Sequence, residues 1–380
     1  MRNKLSTIAA AVMVCQLLLV GVSIAGGTRL FIRSPRSLGM GGAALAVIGD
    51  ENPFFYNPAI LNHLPNARLN ILDARFGFNK SFFDQLSYYY DHEKEFKDVE
   101  KLSDAEKEKF YNQTLDLARK KAHLSIYGPL PVNYVRRNFG AGVFNRAALD
   151  YRIFGGASGI PNVDLAIQGD VLTMVSLSRG FETLLPGRLS VGASAKYLYR
   201  WVAVKTQAIP SLSEDIEVFR AGSFGLDLGA LYSIKENLIA GVSVYDVVST
   251  KFEWTSNQDS SFTMPPEDKI DATLRLGVAY YPGWQVGGLL KDVVLAFDLD
   301  QPFDSDITFF KKVYFGTEAS LSPILKVRGG FGQGYPAAGL GLDLRLLRID
   351  YTFYGEELGK YAGQIVVWNH LLRVQLGLGW

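Results

Sequence analysis

The last stretch of the chain alternates strictly, with Leu372, Val374, Leu376, Leu378 and Trp380 on one parity and Arg373, Gln375, Gly377 and Gly379 on the other. Successive side chains of a strand point to opposite faces, so this is a strand with one apolar face and one small or polar face. The rhythm also runs through Leu340, Leu342, Leu344 and Leu346, which alternate with Gly341, Asp343 and Arg345. It returns in Leu347, Ile349, Tyr351 and Phe353, which alternate with Arg348, Asp350 and Thr352. In a soluble sandwich the apolar face would wall a core. Here the opposite face carries charges and glycines that suit a wet lumen, and segments of about ten residues with this period are the signature of a transmembrane β-barrel.

Turn and alternation rules give strand character at roughly 67–90, 122–132, 138–154, 163–181, 187–205, 217–233, 237–251, 269–283, 290–301, 310–321, 324–334, 337–345, 347–357 and 369–380. The expected fold is therefore all-β: an antiparallel barrel of about 14 strands, an even number as single-chain bacterial barrels require. Links after even-numbered runs are mostly brief, such as Ile234-Lys235-Glu236-Asn237 and Ser322-Pro323, while most others are longer and polar. Short turns at one rim and long loops at the other give that asymmetry.

The longest loop, residues 91–121, is dense in Glu, Lys and Asp and reads as a helical insertion on the outer side of the membrane. Ser103-Asp104-Ala105-Glu106 forms a capping box, and Phe110, Tyr111, Leu115 and Leu117 give the following helix a partly apolar face. Two readings stay open: a lid over the mouth, or a solvated excursion. His92-Glu93 is no zinc motif, because Phe96 stands where the second histidine belongs.

The leader changes the picture further. Met1-Arg2-Asn3-Lys4, an apolar run through Val22 and then Ser23-Ile24-Ala25 make residues 1–25 a secretory signal peptide with cleavage expected after Ala25. Cys15, the one cysteine, lies inside it, so the mature protein is expected to hold no disulfide, thiolate chemistry or Cys-ligated metal. Beyond the leader, charges and glycines interrupt every apolar run before the roughly 18 residues a membrane-spanning helix needs. Of 39 Lys and Arg, the loss of Arg2 and Lys4 leaves 37 against 38 Asp and Glu, and nothing favours nucleic acid as a partner. The 38 glycines and 13% aromatic residues suit close-packed strands with interfacial girdles.

Specificity would lie on the lumen-facing parity. It holds Lys196, Arg200, Asp227, Asp298, Asp300, Glu318, Asp343, Arg345, Arg348, Asp350 and Arg373. Such charges either pair with one another and fix the shape of the barrel, or leave a cation for the carboxylate of an amphipathic ligand. Lys196, Arg200, Arg345 and Arg348 are the candidates for the second role.

Ahead of the barrel, residues 26–65 cannot span a bilayer as a strand. They hold Leu38-Gly39-Met40-Gly41-Gly42-Ala43, then Asp50, then Tyr56-Asn57-Pro58-Ala59, small residues and turn punctuation that let a compact segment fold inside a ring. This run resembles the FadL-type superfamily of outer-membrane long-chain fatty acid and hydrocarbon transporters. The wording is most similar to the branch with type IX secretion shuttle proteins and uncharacterised bacterial relatives. The C-terminal Val327-Arg328-Gly329-Gly330, Gly339-Leu340-Gly341-Leu342 and Asp350-Tyr351-Thr352-Phe353 also resemble that branch.

The resemblance implies a 14-stranded barrel over residues 66–380 with its N-terminal segment as a hatch. Gly39, Gly41, Gly42, Asp50, Asn57, Pro58 and Ala59 would form and anchor that hatch, and apolar ligands would pass it, in some relatives leaving sideways through a gap in the wall. It also implies residence in the outer membrane among its lipid, insertion by the barrel assembly machinery reading a C-terminal signal at Trp380, and no cofactor.

An enzyme is not expected. The Gly39-Met40-Gly41 and Gly332-Gln333-Gly334 clusters lie outside any βαβ unit, no G-x-S-x-G occurs, and His63, His92, His123 and His370 lack metal spacing. Two functions remain: a passive channel for hydrophobic or amphipathic small molecules gated by the hatch, or a barrel that receives a secreted protein partner in secretion or surface assembly.

Overall fold

In the computed structural model the alternating runs become fourteen antiparallel strands that close into one ring. The structure describes residues 33–49, 52–92, 94, 103–118, 120–128, 132–155, 161–183, 186–208, 216–257, 269–285, 290–357 and 366–379. The proposed leader, Asp50 and Trp380 lie outside them.

The ring runs β1 (Arg68–Asn79), β2 in two parts (Ala122–Tyr127 and Val132–Arg136), β3 (Phe139–Gly155), β4 (Pro161–Glu182), β5 (Arg188–Ala208), β6 (Glu217–Lys235) and β7 (Leu238–Tyr245). It continues with β8 (Thr273–Tyr280), β9 (Lys291–Asp300), β10 (Val313–Ser320), β11 (Leu325–Gly332), β12 (Tyr335–Leu344), β13 (Leu347–Glu357) and β14 (Val366–Leu378). Every strand pairs with its sequence neighbour, and β14 returns to β1, Leu378 opposite Leu69 and Asn369 opposite Asn79. Closure removes the free edges that an open sheet would expose.

The two-residue rhythm sorts the side chains. On β14 Leu372 is 43% exposed on the outside while neighbouring Arg373 is fully buried within. An apolar belt around a closed barrel needs hydrocarbon against it, so the barrel is a transmembrane one. Gln333 and Gly334, both at positive φ, make the tight turn between β11 and β12. The glycine cluster there serves a hairpin.

Several boundaries differ from expectation: the seventh run ends as a barrel strand at Tyr245, the tenth starts only at Val313 after a short helix, Phe309–Lys312, and two others bear on the site. The first run ends as a strand at Asn79, not near residue 90, because Lys80–Asp91 is a helix, α2. Its aromatic content reads as strand. The Asn79 side chain decides otherwise by accepting a hydrogen bond from the Phe82 amide at 3.0 Å, an N-cap the strand reading overlooked. The second run extends past residue 132, since Val132–Arg136 resumes pairing with both β1 and β3.

A second helix, α3 (Asp104–Ala118), opens on reciprocal bonds: the Ser103 amide donates to Glu106 at 2.9 Å, and the Glu106 amide to Ser103 Oγ at 3.4 Å. It contacts α2 and β3. A shorter helix, α1 (Pro35–Gly39), and two 3₁₀ turns, Pro53–Phe55 and Pro58–His63, precede the barrel. Residues from this N-terminal part supply one side of two apolar clusters among the described residues. Met40, Val47 and Ile60 pack with Leu231, Ile239 and Val294, and Phe54, Phe55 and Leu61 pack with Phe144, Leu172 and Leu198.

Candidate functional site

The segment 34–64 touches strands around the whole ring, a placement only a position inside the bore allows. It is seated on glycine. A Cβ on Gly316, Gly330 or Gly332 would run into the backbone of Met40 and Gly41, and a Cβ on Gly339 would lie 3.2 Å from the Gly39 Cα. Gly41 and Gly42 turn the chain there at φ +64° and +96°.

Across the ring, Gly192 and Gly229, paired on β5 and β6, leave room for Asn57-Pro58. Asn57 Oδ1 accepts from the Ala59 amide at 3.0 Å, and its Nδ2 donates to the Ala230 and Val242 carbonyls of the wall, each at 3.1 Å. Inward glycines that the pattern suggests line a wet lumen therefore serve close approach of a second backbone. That is why no side chain fills those positions.

Charged residues complete the seat. Asp298 on β9 accepts from the Ala44 and Leu45 amides at 2.8 and 3.0 Å and pairs with Arg275 at 3.0 Å, whose guanidinium donates to the Gly42 carbonyl. Arg36 pairs with Glu318 at 2.8 Å, Glu318 with Arg328 at 2.6 Å, Arg328 with Asp350 at 2.6 Å and Asp350 with Arg373 at 2.5 Å. The ladder crosses β10, β11, β13 and β14 and is almost wholly buried. Removing one partner of such a pair strands a charge, at a cost of about 3–5 kcal/mol. Thr352 donates to the Pro35 carbonyl at 2.8 Å, and the Ile48 amide to Tyr281 Oη at 2.7 Å. Burial pushes the Tyr281 phenol up, so it stays protonated and able to accept that bond.

The four cations nominated for ligand binding stand elsewhere. Lys196 is held by Asp227 at 2.7 Å and Asp246 at 2.8 Å, and Arg200 by Asp170 at 2.7 Å with its guanidinium over the Phe252 ring. Arg348 pairs with Asp343 at 2.6 Å beside the β12–β13 turn. Arg345 does not face the lumen at all: it is an exposed turn residue at φ +68°, because the two-residue hairpin after Leu344 breaks the strand parity on which its inward assignment rested.

An open cavity of about 380 Å³ lies in the bore on the loop side of this seat. Arg33, Leu38 and Gly42 from the N-terminal segment line it, together with His123, Tyr127, Arg146, Asp150, Tyr354 and Asn369 from the wall. His123 Nδ1 lies 2.8 Å from Asp150, which also takes Lys121 at 3.3 Å, and Arg33 pairs with Glu356 at 3.1 Å. Arg146 differs from these. Its guanidinium stands 5.5 Å over the Tyr127 ring, while its Nε is buried with no hydrogen-bond partner among the described residues. It lines the cavity with a buried N–H that no described residue accepts, and it shares the inward parity of Phe144 and Ala148, the one signal in the sequence that points to it.

The first part of β2 ends beside this region. Gly128, at φ +89°, ends the first part of β2, and its amide donates to the Asn145 carbonyl at 3.1 Å, while Asn145 Nδ2 returns a bond to the Gly128 carbonyl at 3.0 Å.

No family model matches the sequence, and no curated protein does. Solved structures do match in fold. The toluene transporter TodX of Pseudomonas putida superposes with a TM-score of 0.51 at 13% identity, covering 93% of this chain and 99% of its own. The CymD monoaromatic hydrocarbon channel gives 0.50 at 10% identity, with 93% and 99% covered. The chain shares the barrel fold of these structures.

Proposed function

We propose that this chain is an outer-membrane channel for passive uptake of hydrophobic or amphipathic small molecules such as long-chain fatty acids, with residues 26–65 as its hatch. The observation that carries this reading is a transmembrane barrel whose bore is occupied by its own N-terminal segment, held by discrete polar anchors at Asn57, Asp298 and Glu318. Greasy solutes cross a polar outer leaflet poorly. A barrel with an internal path shields them, and movement of the hatch opens the way. The description of TodX as a toluene transporter and of CymD as a hydrocarbon channel supports the reading. The charged vestibule with Arg146 favours amphipathic anions over neutral hydrocarbons as cargo. Export by the 1–25 leader and insertion by the barrel assembly machinery through the Trp380 end belong to this proposal.

Uptake of a labelled long-chain fatty acid by cells with and without the gene tests it. Uptake should fall on deletion and rise in Asp298→Asn, which loosens the Ala44-Leu45 anchor; no change on deletion would count against transport. The number of anchors around the ring is what a static plug would also have, and this favours the other reading, a surface-assembly barrel with a secreted protein partner. Stoichiometric co-purification of such a partner, with unaltered uptake, would support that one.

A further inference from the structure

Ala122, Leu149 and Tyr151 occupy the outward parity of β2 and β3, for Ala122 lies opposite Tyr151, and Leu149 opposite Leu124, on the face that exposes Ile126. Ala122 is nevertheless buried. What covers it is α2. Asn79 Oδ1 caps that helix at Phe82 and also accepts from the His123 amide at 3.0 Å, its Nδ2 donates to the Lys121 carbonyl at 2.8 Å, and Gln85 Nε2 donates to the Lys120 carbonyl at 2.8 Å. Phe83 meets the outward Phe78 ring edge-on at 4.5 Å, and Phe78 stacks on outward His370 at 5.2 Å. The helix is thus tied against the outer face of the wall at its loop end, and does not lie over the mouth.

Between helix and wall is a cavity of about 230 Å³, lined by Phe82, Gln85, Leu86, Ala122, Leu149 and Tyr151. On the helix Phe83, Leu86 and Tyr90 remain 45, 38 and 67% exposed, and their spacing of three and four residues puts them on one face. A helix with an uncovered apolar stripe beside a hydrocarbon-facing wall belongs in the membrane interface.

We propose that α2 is an interfacial helix and that the cavity beneath it seats one acyl chain of a phosphorylated lipid from the surrounding leaflet. This rests on the membrane siting of the barrel, not on transport. The wall residues that line the cavity share the outward parity of the apolar belt, and the strands separate it from the bore, whose own cavity is lined by His123 and Asp150 from the opposite parity of the same strands. Lys80, which also pairs with Asp84 at 2.6 Å, and Lys120 are exposed at the loop end of β1 and β2, at headgroup level, where ammonium groups meet lipid phosphates, whereas Lys121 is turned to Asp150 on the bore side.

The test reconstitutes the full-length mature protein in phosphatidylglycerol vesicles doped with a phosphatidylglycerol that carries a diazirine on one acyl chain. Photolysis should label peptides from α2 and the segment around Leu149. In Ala122→Phe, which fills the cavity, labelling there should fall roughly tenfold, the loss of about two methylenes' worth of burial. Leu149→Trp fills it from the wall and should do the same, with resistance to unfolding in cold detergent showing that each barrel is intact. Equal labelling in wild type and both variants would overturn the proposal. So would labelling at this site by a free diazirine fatty acid but not by the phospholipid, which would make the cavity a cargo site. Neither outcome depends on whether the protein transports anything.

Discussion

Arg36 and Glu318, 282 residues apart, form an ion pair of 2.8 Å that joins the N-terminal segment to the barrel wall. Glu318 has a second partner in Arg328, whereas Arg36 is the last member of the ladder and also reaches the Ile48 carbonyl at 3.3 Å. The two residues should therefore respond differently to substitution. Glu318→Gln leaves two buried guanidinium groups short of a carboxylate and should cost about 3–5 kcal/mol, while Arg36→Ala should cost less because Arg328 still neutralises Glu318. Thermal unfolding in detergent ranks them, and the equal or reverse order would contradict the geometry.

The glycine seats give a paired prediction. Gly229→Val should displace Asn57 and Pro58, destabilising the protein by about 1–3 kcal/mol through overpacking and raising single-channel conductance in planar bilayers. Gly329→Ala, where a Cβ meets nothing within 4 Å, should leave both properties unchanged. Similar effects of the two substitutions would argue that the seat does not exist.

Arg146 and Arg345 separate lumen chemistry from turn chemistry. Arg146→Gln should lower uptake of a long-chain fatty acid relative to its uncharged methyl ester, by up to about tenfold for loss of one charge-assisted hydrogen bond. Arg345→Gln, in the exposed hairpin turn, should alter neither. Competition between labelled acid and ester in intact cells reads the difference.

His63 supplies a pH prediction. Burial, with Arg188 and Arg137 nearby, lowers its pKa, and its Nε2 lies 3.2 Å from Ser190 Oγ. The folded state thus prefers the neutral imidazole more than the unfolded chain does. Its contribution is complete above the ordinary histidine range and is lost as pH falls from that range towards the depressed folded value. His63→Gln should flatten the decline in melting temperature between about pH 6.5 and 5, and an unchanged slope would assign that decline to other groups.

Strand parity was legible in the sequence because hydrocarbon outside and packed residues inside leave a side chain few alternatives. The helix at Lys80–Asp91 was not, since Phe82, Phe83, Tyr88 and Tyr90 suit a strand equally well and only the Asn79 cap separates the two. Inward charges could be placed on a face but not paired. Glu318 meets Arg328 directly across two neighbouring strands, yet Arg36 comes from the far end of the chain. Arg345 shows how one two-residue turn ends the validity of a parity argument. The inward glycines suggest lumen lining because a single alternating pattern does not reveal that a second backbone lies against them.

The central claim, that cargo passes only when the N-terminal segment moves, is tested most directly by tethering it. A Cβ on Gly277 would stand 2.8 Å from Leu45 Cβ and would run into Asp298 Oδ1, so Leu45→Cys with Gly277→Cys can form a disulfide once the two backbones separate slightly and the Asp298 carboxylate shifts, and Cys15 in the expected leader is the only other cysteine. Fatty acid uptake by cells carrying this double variant should be lost under oxidising conditions and restored by a reductant. Equal uptake with the bridge formed and broken, the bridge being verified by mass spectrometry, would contradict the account.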